Sequence, residues 1–135
     1  MDQVIIFSNE IGSVSICSPT GELPIEIVQQ KDIPQGVESF IVDKSSLPEC
    51  WDFAMAWEQS NGVVSINIAK AREITKDRLR FDRQALFVNL DVQFQRALET
   101  GAPTAAIVAE KQRLRDITNL PDSCNTIEEL RALSV

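Results

Sequence analysis

The chain has 135 residues, is 44% hydrophobic and 24% charged, and carries a formal net charge of −7 at neutral pH. This length allows one domain with a modest core, or a compact half followed by a helical half, and it excludes a two-domain cofactor enzyme. The chain contains no histidine and no tyrosine, which excludes a Ser-His-Asp triad, a Cys-His pair and a histidine-ligated metal centre. Glycine-rich phosphate-binding motifs are absent too. We therefore expect no enzyme activity and no catalytic, cofactor-binding or metal-binding residues.

The negative charge is concentrated in the first half of the chain. Residues 1–67 contain ten acidic and two basic side chains, whereas residues 68–135 contain ten acidic and eleven basic ones. An acidic half repels phosphate backbones, and the basic residues from Lys70 to Arg83 alternate with carboxylates at helical ion-pair spacing, so we expect no nucleic-acid partner. The apolar run Val4–Phe7 is too short for a signal peptide or a membrane span, so no membrane association is expected.

Short β-branched or alternating runs, separated by turn residues, predict antiparallel strands in the first half. Two of these runs flank Asn61-Gly62, a dipeptide that strongly favours a two-residue hairpin turn. Pro24 opens a short segment whose apolar side chains have helical spacing. The predicted elements are strands 3–7 and 13–17, a helix 24–31, a strand 40–42, and strands 52–59 and 63–68.

The pattern changes abruptly at Asn67, an expected helix N-cap. Neither proline nor glycine occurs between it and Gly101, and the intervening residues are rich in good helix formers. We predict one helix over residues 68–100, about 50 Å long at 1.5 Å per residue. Gly101 ends this helix and Pro103 begins the next, which predicts a helical hairpin.

Two further helices complete the predicted second half. The returning helix is expected over residues 104–118, and a capping box, Thr126 with Glu129, predicts a last helix over residues 127–133. The expected fold class is α+β. A small antiparallel β domain, residues 1–67, would precede a helical domain, residues 68–135.

The long helix carries two apolar arcs when successive residues are placed about 100° apart. A helix with two apolar faces must be covered twice. The returning helix can cover one arc through Ile107, Leu114 and Ile117, and the other needs the chain's own β part, a second copy or a partner protein. We expect a homo-oligomer or hetero-complex with coiled-coil character, for which Phe81, Val88 and Val92 are candidate partner-binding residues. The first arc collects Leu79, Leu86, Leu90, Phe94 and Ala97, and the second collects Ile74, Phe81, Ala85, Val88 and Val92.

The chain has two tryptophans with different expected roles. Trp57 lies on the apolar face of its predicted strand, so we expect it in the core. Trp51 follows the segment Pro48-Glu49-Cys50 and is expected to be partly exposed. A partly exposed tryptophan is a good interface anchor, which makes Trp51 a further candidate partner-binding residue.

Several short motifs span about residues 38–118. They are Ile41-Val42-Asp43-Lys44-Ser45-Ser46-Leu47-Pro48, Asp52-Phe53, Ala56-Trp57-Glu58, Lys70-Ala71-Arg72-Glu73-Ile74, Leu90-Asp91-Val92, Arg96-Ala97-Leu98-Glu99 and Gln112-Arg113-Leu114-Arg115-Asp116. Taken together, this series resembles the small phage and prophage tail proteins known as tail assembly chaperones or tail-fibre assembly proteins.

The resemblance implies a protein of the tail module that binds the tail fibre and assists its folding or assembly, then leaves or stays attached. It implies a location in the host cytoplasm during assembly, or in the virion tail, and neither catalysis nor a cofactor. An alternative of another class is a structural virion component, such as a baseplate or tail-fibre adaptor. Fibre chains expose strand edges before they trimerise, so we expect strand Gln3–Phe7 to pair with a fibre strand through an open edge, with Trp51 as anchor.

Overall fold

A computed structural model describes residues 2–135 of the chain. They form two compact units, one ending at Lys70 and one running from Ala71 to Val135. Antiparallel strands come first and helices follow, which confirms the predicted α+β class. The strands are β1 (Gln3–Ser8), β2 (Val14–Cys17), β3 (Ser39–Asp43), β4 (Trp57–Ser60) and β5 (Val63–Ile66), and the helices are α1 (Ile25–Asp32), α2 (Ile68–Thr100), α3 (Ala105–Asp116) and α4 (Ile127–Ala132). Single 3₁₀ segments cover Lys44–Ser46, Trp51–Ala56 and Ile117–Ser123.

The first unit is built on a three-stranded antiparallel sheet with strand order β2-β1-β3. Ile5 of β1 pairs with Cys17 of β2 on one side and with Ile41 of β3 on the other. The expected open edge at Gln3–Phe7 is therefore wrong, because β1 is the central strand and both of its edges are hydrogen-bonded. The hairpin of β1 with β2 was predicted because its strands are close in the sequence. The pairing of β3 with the other edge of β1 was missed because it joins residues more than 30 positions apart.

Both faces of this sheet are buried. Three consecutive residues of β1, Val4, Ile5 and Ile6, are at most 3% exposed. Because strand side chains alternate between faces, Val4 and Ile6 pack on one side with Leu47 and Trp57, and Ile5 packs on the other with residues of and beside α1. The unit thus has three layers, with the sheet between α1 and the β4-β5 hairpin.

The hairpin of β4 and β5 turns at Asn61 and Gly62, whose φ angles of 51° and 82° are those of a type I′ turn. The predicted strand 52–59 is wrong in its first half, where Trp51–Ala56 forms a 3₁₀ segment. Phe53 and Ala56 are buried there, at the three-residue spacing of a 3₁₀ helix, while Met55 is 58% exposed. The alternation at Phe53, Met55 and Trp57 that suggested a strand therefore does not mark one buried face.

The start of α2 is held by Asn67, as predicted. Its Oδ1 accepts the backbone N–H of Lys70 at 3.1 Å, and its amide donates to Glu58 Oε1 at 3.0 Å. Lys70 Nζ also lies 3.0 Å from the Glu58 carboxylate. The hydrogen bonds from Lys70 and then Asn67 lower the pKa of Glu58 below its ordinary value. The end of α2 is also as predicted, since Gly101 adopts a left-handed φ of 70°.

The second unit forms along one face of α2. The buried side chains of α2 are four, four, eleven and seven residues apart, and these spacings place all of them on one helix face. The later segments contribute buried Leu114, Ile117, Pro121, Cys124 and Leu130. The buried residues of α2 are Ala71, Thr75, Leu79, Leu90 and Ala97.

The later helices differ slightly from the prediction. The returning helix α3 ends at Asp116 rather than 118, and the chain continues as a 3₁₀ segment that contains Pro121. Thr126 caps α4 as predicted, since its Oγ1 accepts the backbone N–H of Glu129 at 3.2 Å. The Glu129 carboxylate returns to the N–H of Asn125 rather than to Thr126, so the capping box is shifted by one residue on that side.

Three arginines of α2 bind the carboxyl-terminal ends of the three segments that follow it. Arg83 donates to Leu114 O at 2.9 Å near the end of α3. Arg72 donates to Cys124 O at 2.8 Å after the 3₁₀ segment, and Arg78 donates to carbonyls at the end of α4. Cations are favoured at helix carboxyl ends because the unsatisfied carbonyls there carry partial negative charge. These arginines therefore stabilise the packing of the later segments on α2, a role that the charge pattern did not predict.

Two other basic residues of α2 form the expected pairs one turn apart. Lys76 lies 3.2 Å from Glu73, and Arg80 lies 2.8 Å from Asp77. Lys76 also reaches Asp122 at 2.8 Å. Its pKa is raised by the hydrogen bond to Asp122 and, after it, the one to Glu73. The basic run is thus occupied by contacts within the protein.

We expect Arg78→Ala to lower the free energy of unfolding by about 1.5–3 kcal/mol, because it removes charged hydrogen bonds to two backbone carbonyls. Arg80→Ala is the matched control, since Arg80 pairs with Asp77 on the exposed surface, and should cost less than about 0.5 kcal/mol. Urea titration followed by circular dichroism measures both. Equal losses of unfolding free energy in the two variants would contradict the role of Arg78 in stabilising the helical unit.

Candidate partner-binding surfaces

The first candidate surface, here called the Trp51 surface, consists of Trp51 and Met55. Both lie in the 3₁₀ segment of the first unit, and their side chains are 51% and 58% exposed. Met55 is held through its backbone, since its carbonyl accepts the Ser13 hydroxyl at 2.8 Å. The exposure predicted for Trp51 is confirmed.

The ring of Trp51 packs against an aromatic side chain of the core. Its ring centroid lies 4.7 Å from that of Trp57, with an angle of 55° between the ring planes. Trp57 is fully buried, as predicted. An indole that already rests on a fixed aromatic neighbour loses little conformational freedom when a partner covers it. The arrangement therefore suits Trp51 to be an anchor.

The charge around Trp51 is negative. Glu49 and Asp52, on either side of it, are both exposed, and the first half of the chain has eight more acidic than basic side chains. Opposite charge on a partner accelerates its encounter and orients it. The Trp51 surface is thus suited to a partner with basic groups around an apolar pocket.

The second candidate surface, here called the α2 stripe, consists of Phe81, Ala85, Val88 and Val92. Phe81 is 74%, Val88 65% and Val92 44% exposed, and Ala85 is also exposed. Their separations of four, three and four residues place all of them on one face of the helix. Ile74, the remaining member of the predicted second arc, is half-buried and lies outside the stripe.

The opposite face of α2 is covered within the chain. Leu79, Leu90 and Ala97 of the first predicted arc are buried and Phe94 is half-buried, whereas Leu86 is 37% exposed. Lys111 of α3 pairs with Asp91 and lies 5.3 Å from the centre of the Phe94 ring. The returning helix therefore packs on the side of the first arc, at Phe94, and the stripe is left exposed.

The four predicted partner-binding residues fall into two separate groups. Phe81, Val88 and Val92 share the α2 stripe in the second unit, and Trp51 belongs to the first unit. Sequence reasoning missed Met55, because the apparent alternation placed it on the buried face of a strand. The proline at position 48 and the acidic residues around Trp51 were the available signals of a turn rather than a strand.

The chemistry of the remaining surface is plain. Asp43 and Asp52, two carboxylates of the first unit, are both exposed. Among residues 2–135, no three acidic or cysteine side chains are grouped to hold a metal ion. None of the helices in that range is both long enough and apolar enough to cross a membrane.

No family model, curated protein or solved structure matches this chain.

Proposed function

We propose that this protein is a phage tail-fibre assembly chaperone, which binds the tail fibre and assists its folding or assembly. The motif resemblance over residues 38–118 suggests this function. The observation that best supports it is the Trp51 surface, an exposed indole resting on a buried one within an acidic unit. On this proposal the protein acts in the host cytoplasm during assembly, and it leaves the fibre or remains with it in the virion tail.

The Trp51 surface has the properties that such a task requires. Unassembled fibre chains expose apolar surface and unpaired strand edges until they trimerise. A chaperone has to cover this surface reversibly, which favours a small apolar contact assisted by long-range charge attraction over a large permanent interface. One anchoring tryptophan in an acidic environment meets both conditions.

A strand of the fibre could extend the sheet of the first unit only at β2 or β3, which pair with β1 on one side each. The outer edge of β3 is partly occupied, since Ser39 O accepts Gln29 Nε2 at 3.2 Å and Asp43 O accepts the Ser46 hydroxyl at 2.7 Å. Strand addition is therefore proposed at β2, in place of the edge of β1 expected from the sequence.

Co-expression tests the proposal against the structural alternative. A tail fibre is produced with and without this protein, and the yield of soluble trimeric fibre is measured. A chaperone raises that yield, whereas a baseplate or fibre adaptor is recovered in purified particles and leaves fibre solubility unchanged. No change in yield would contradict the proposed function.

We expect Trp51→Ala to weaken binding to the purified fibre by about 1–3 kcal/mol, the loss typical of a central aromatic anchor. Leu120→Ala is the control, because Leu120 is an exposed apolar residue of the other unit, 47% exposed. Titrations at two salt concentrations add a second readout. The association rate of the wild type should fall as salt rises, because screening weakens attraction between the acidic unit and a basic partner.

Two results of this titration would contradict the assignment of the surface. Equal affinities for the wild type and Trp51→Ala would place the contact elsewhere on the protein. An association rate independent of salt would exclude charge attraction as part of recognition. Circular dichroism of the variant serves as the folding control.

A further inference from the structure

We propose that α2 pairs with α2 of a second copy of this chain, as an antiparallel two-helix coiled coil centred between Ala85 and Val88. This pairing is independent of the proposed function. The α2 stripe has separations of four, three and four residues, which are those of alternating a and d positions in a heptad repeat. Ala85 and Val92 take the a positions, and Phe81 and Val88 take the d positions.

The sizes of the side chains favour the antiparallel orientation. In a parallel pair in register, each position meets its own copy, so Phe81 would face Phe81 and Ala85 would face Ala85. That arrangement crowds one layer and leaves a void in the next, and both are unfavourable. In the antiparallel pair, Phe81 faces Val92 and Ala85 faces Val88, so all four layers join apolar residues of complementary size.

The charges beside the stripe favour the same orientation. Asp82 and Arg96 lie along one edge of the stripe, at e positions of the same heptad. Neither side chain forms an ion pair within residues 2–135. In the antiparallel pair the e edges of the two helices adjoin, and Asp82 of each copy lies about 7.5 Å along the axis from Arg96 of the other. Helical side chains lean towards their own N-terminus, which brings these two groups closer together.

A parallel pair would have the opposite electrostatics at Asp82. There the e edge adjoins the g edge of the other helix, and Asp82 would approach Asp77, a carboxylate that Arg80 already pairs. Asp91, the g residue that could meet Arg96, already pairs with Lys111. Only the antiparallel pair therefore uses both unpaired charges, and it forms their contact twice by symmetry.

The area of the contact indicates a weak and reversible dimer. Four apolar side chains and one ion pair per helix bury less surface than the roughly 800 Å² per partner of a stable complex. We expect the protein to be monomeric when dilute and dimeric at high concentration. Sedimentation equilibrium from low micromolar to several hundred micromolar measures the dissociation constant, with circular dichroism as the folding control.

Replacing Val88 and Val92 together by lysine should raise this constant at least about tenfold, because it places a lysine in each of the four apolar layers. Asp82→Arg distinguishes the two orientations. In the antiparallel pair it opposes Arg96 and raises the constant by about three- to tenfold, whereas in a parallel pair it meets Asp77 and lowers it. Adding Arg96→Asp to Asp82→Arg restores the ion pair in reverse and should return the constant to within about twofold of the wild type.

Three results would contradict the antiparallel pairing of α2. A wild type that stays monomeric at the highest concentration overturns it and leaves a different protein as the occupant of the stripe. Stronger association of Asp82→Arg, or unchanged association of the double lysine variant, overturns it as well. If the lysine variant loses its helical signal, the Asp82 and Arg96 variants still decide, because both positions are on the exposed surface.

Discussion

Leu79→Ala is expected to lower the free energy of unfolding by about 2–5 kcal/mol, the cost of removing a fully buried leucine side chain and leaving a cavity. Leu79 is 0% exposed on the buried face of α2. Phe81→Ala removes a larger side chain only two residues away, yet it should cost less than about 0.5 kcal/mol, because Phe81 is 74% exposed. The two expected losses differ because Leu79 lies on the buried face of α2 and Phe81 lies on its exposed face.

Urea titration at low protein concentration, where the proposed dimer is dissociated, measures both losses. The m value should be unchanged in both variants if the native and unfolded states expose similar surface to those of the wild type. A loss for Phe81→Ala comparable with that for Leu79→Ala would show that the α2 stripe is covered within the chain. The stripe could then not serve as a contact for another molecule.

Trp57→Ala is expected to lower the free energy of unfolding of the first unit by about 3–5 kcal/mol. Trp57 is fully buried in the cluster that joins the sheet to the hairpin and supports Trp51 from below. A loss of this size is a large share of the stability of a small unit. The same variant should also weaken fibre binding, since Trp51 would lose its fixed neighbour.

Trp57→Phe is the informative comparison. The indole Nε1 of Trp57 is buried and has no hydrogen-bond acceptor among residues 2–135. Phenylalanine removes this unsatisfied donor, which should raise the free energy of unfolding by about 1–3 kcal/mol. This gain offsets much of the loss caused by the smaller ring. We expect a net loss below about 2 kcal/mol. A loss as large as that of Trp57→Ala would show that the buried nitrogen does find a partner.

Trp57→Phe also leaves Trp51 as the only tryptophan, so fluorescence can follow the candidate surface alone. Its emission should lie near that of a half-exposed indole and shift to shorter wavelength when fibre is added. An emission maximum typical of a buried indole in the free variant would contradict the exposure of Trp51.

The parts of the fold predicted correctly are those determined by local chemistry. The helix over residues 68–100 matches to the residue, because Asn67 and Gly101 give strong start and stop signals and no helix breaker lies between them. The Asn61-Gly62 hairpin was predicted for a similar reason, since few residues adopt two successive positive φ angles.

The parts missed depend on contacts between distant residues. The order of strands in the sheet follows from the return of β3 to β1, which no local pattern encodes. The carbonyl contacts of Arg72, Arg78 and Arg83 depend on segments 31 to 55 residues later in the chain. Alternating apolar residues in a short segment fit a strand and a 3₁₀ turn equally well, which explains the error at residues 52–56.

The candidate surfaces were predicted in part. The two apolar arcs of α2 follow from helical periodicity, but the arc that α3 covers is decided by packing, here by Leu114 at the buried face and by the Lys111–Asp91 pair at its border. The exposure of Trp51 was predicted from its neighbours in the sequence. Its contact with Trp57 required the turn that the strand prediction had missed.

The proposed binding of a tail fibre is tested most directly by affinity purification from cells that are assembling phage tails. Tagged wild type and tagged Trp51→Ala are recovered at equal levels, and the co-purified proteins are quantified by mass spectrometry. We predict that the tail fibre polypeptide is enriched with the wild type and reduced about fivefold or more with Trp51→Ala. Absence of the fibre from the wild-type sample, or its equal recovery with both proteins, would contradict fibre binding through Trp51.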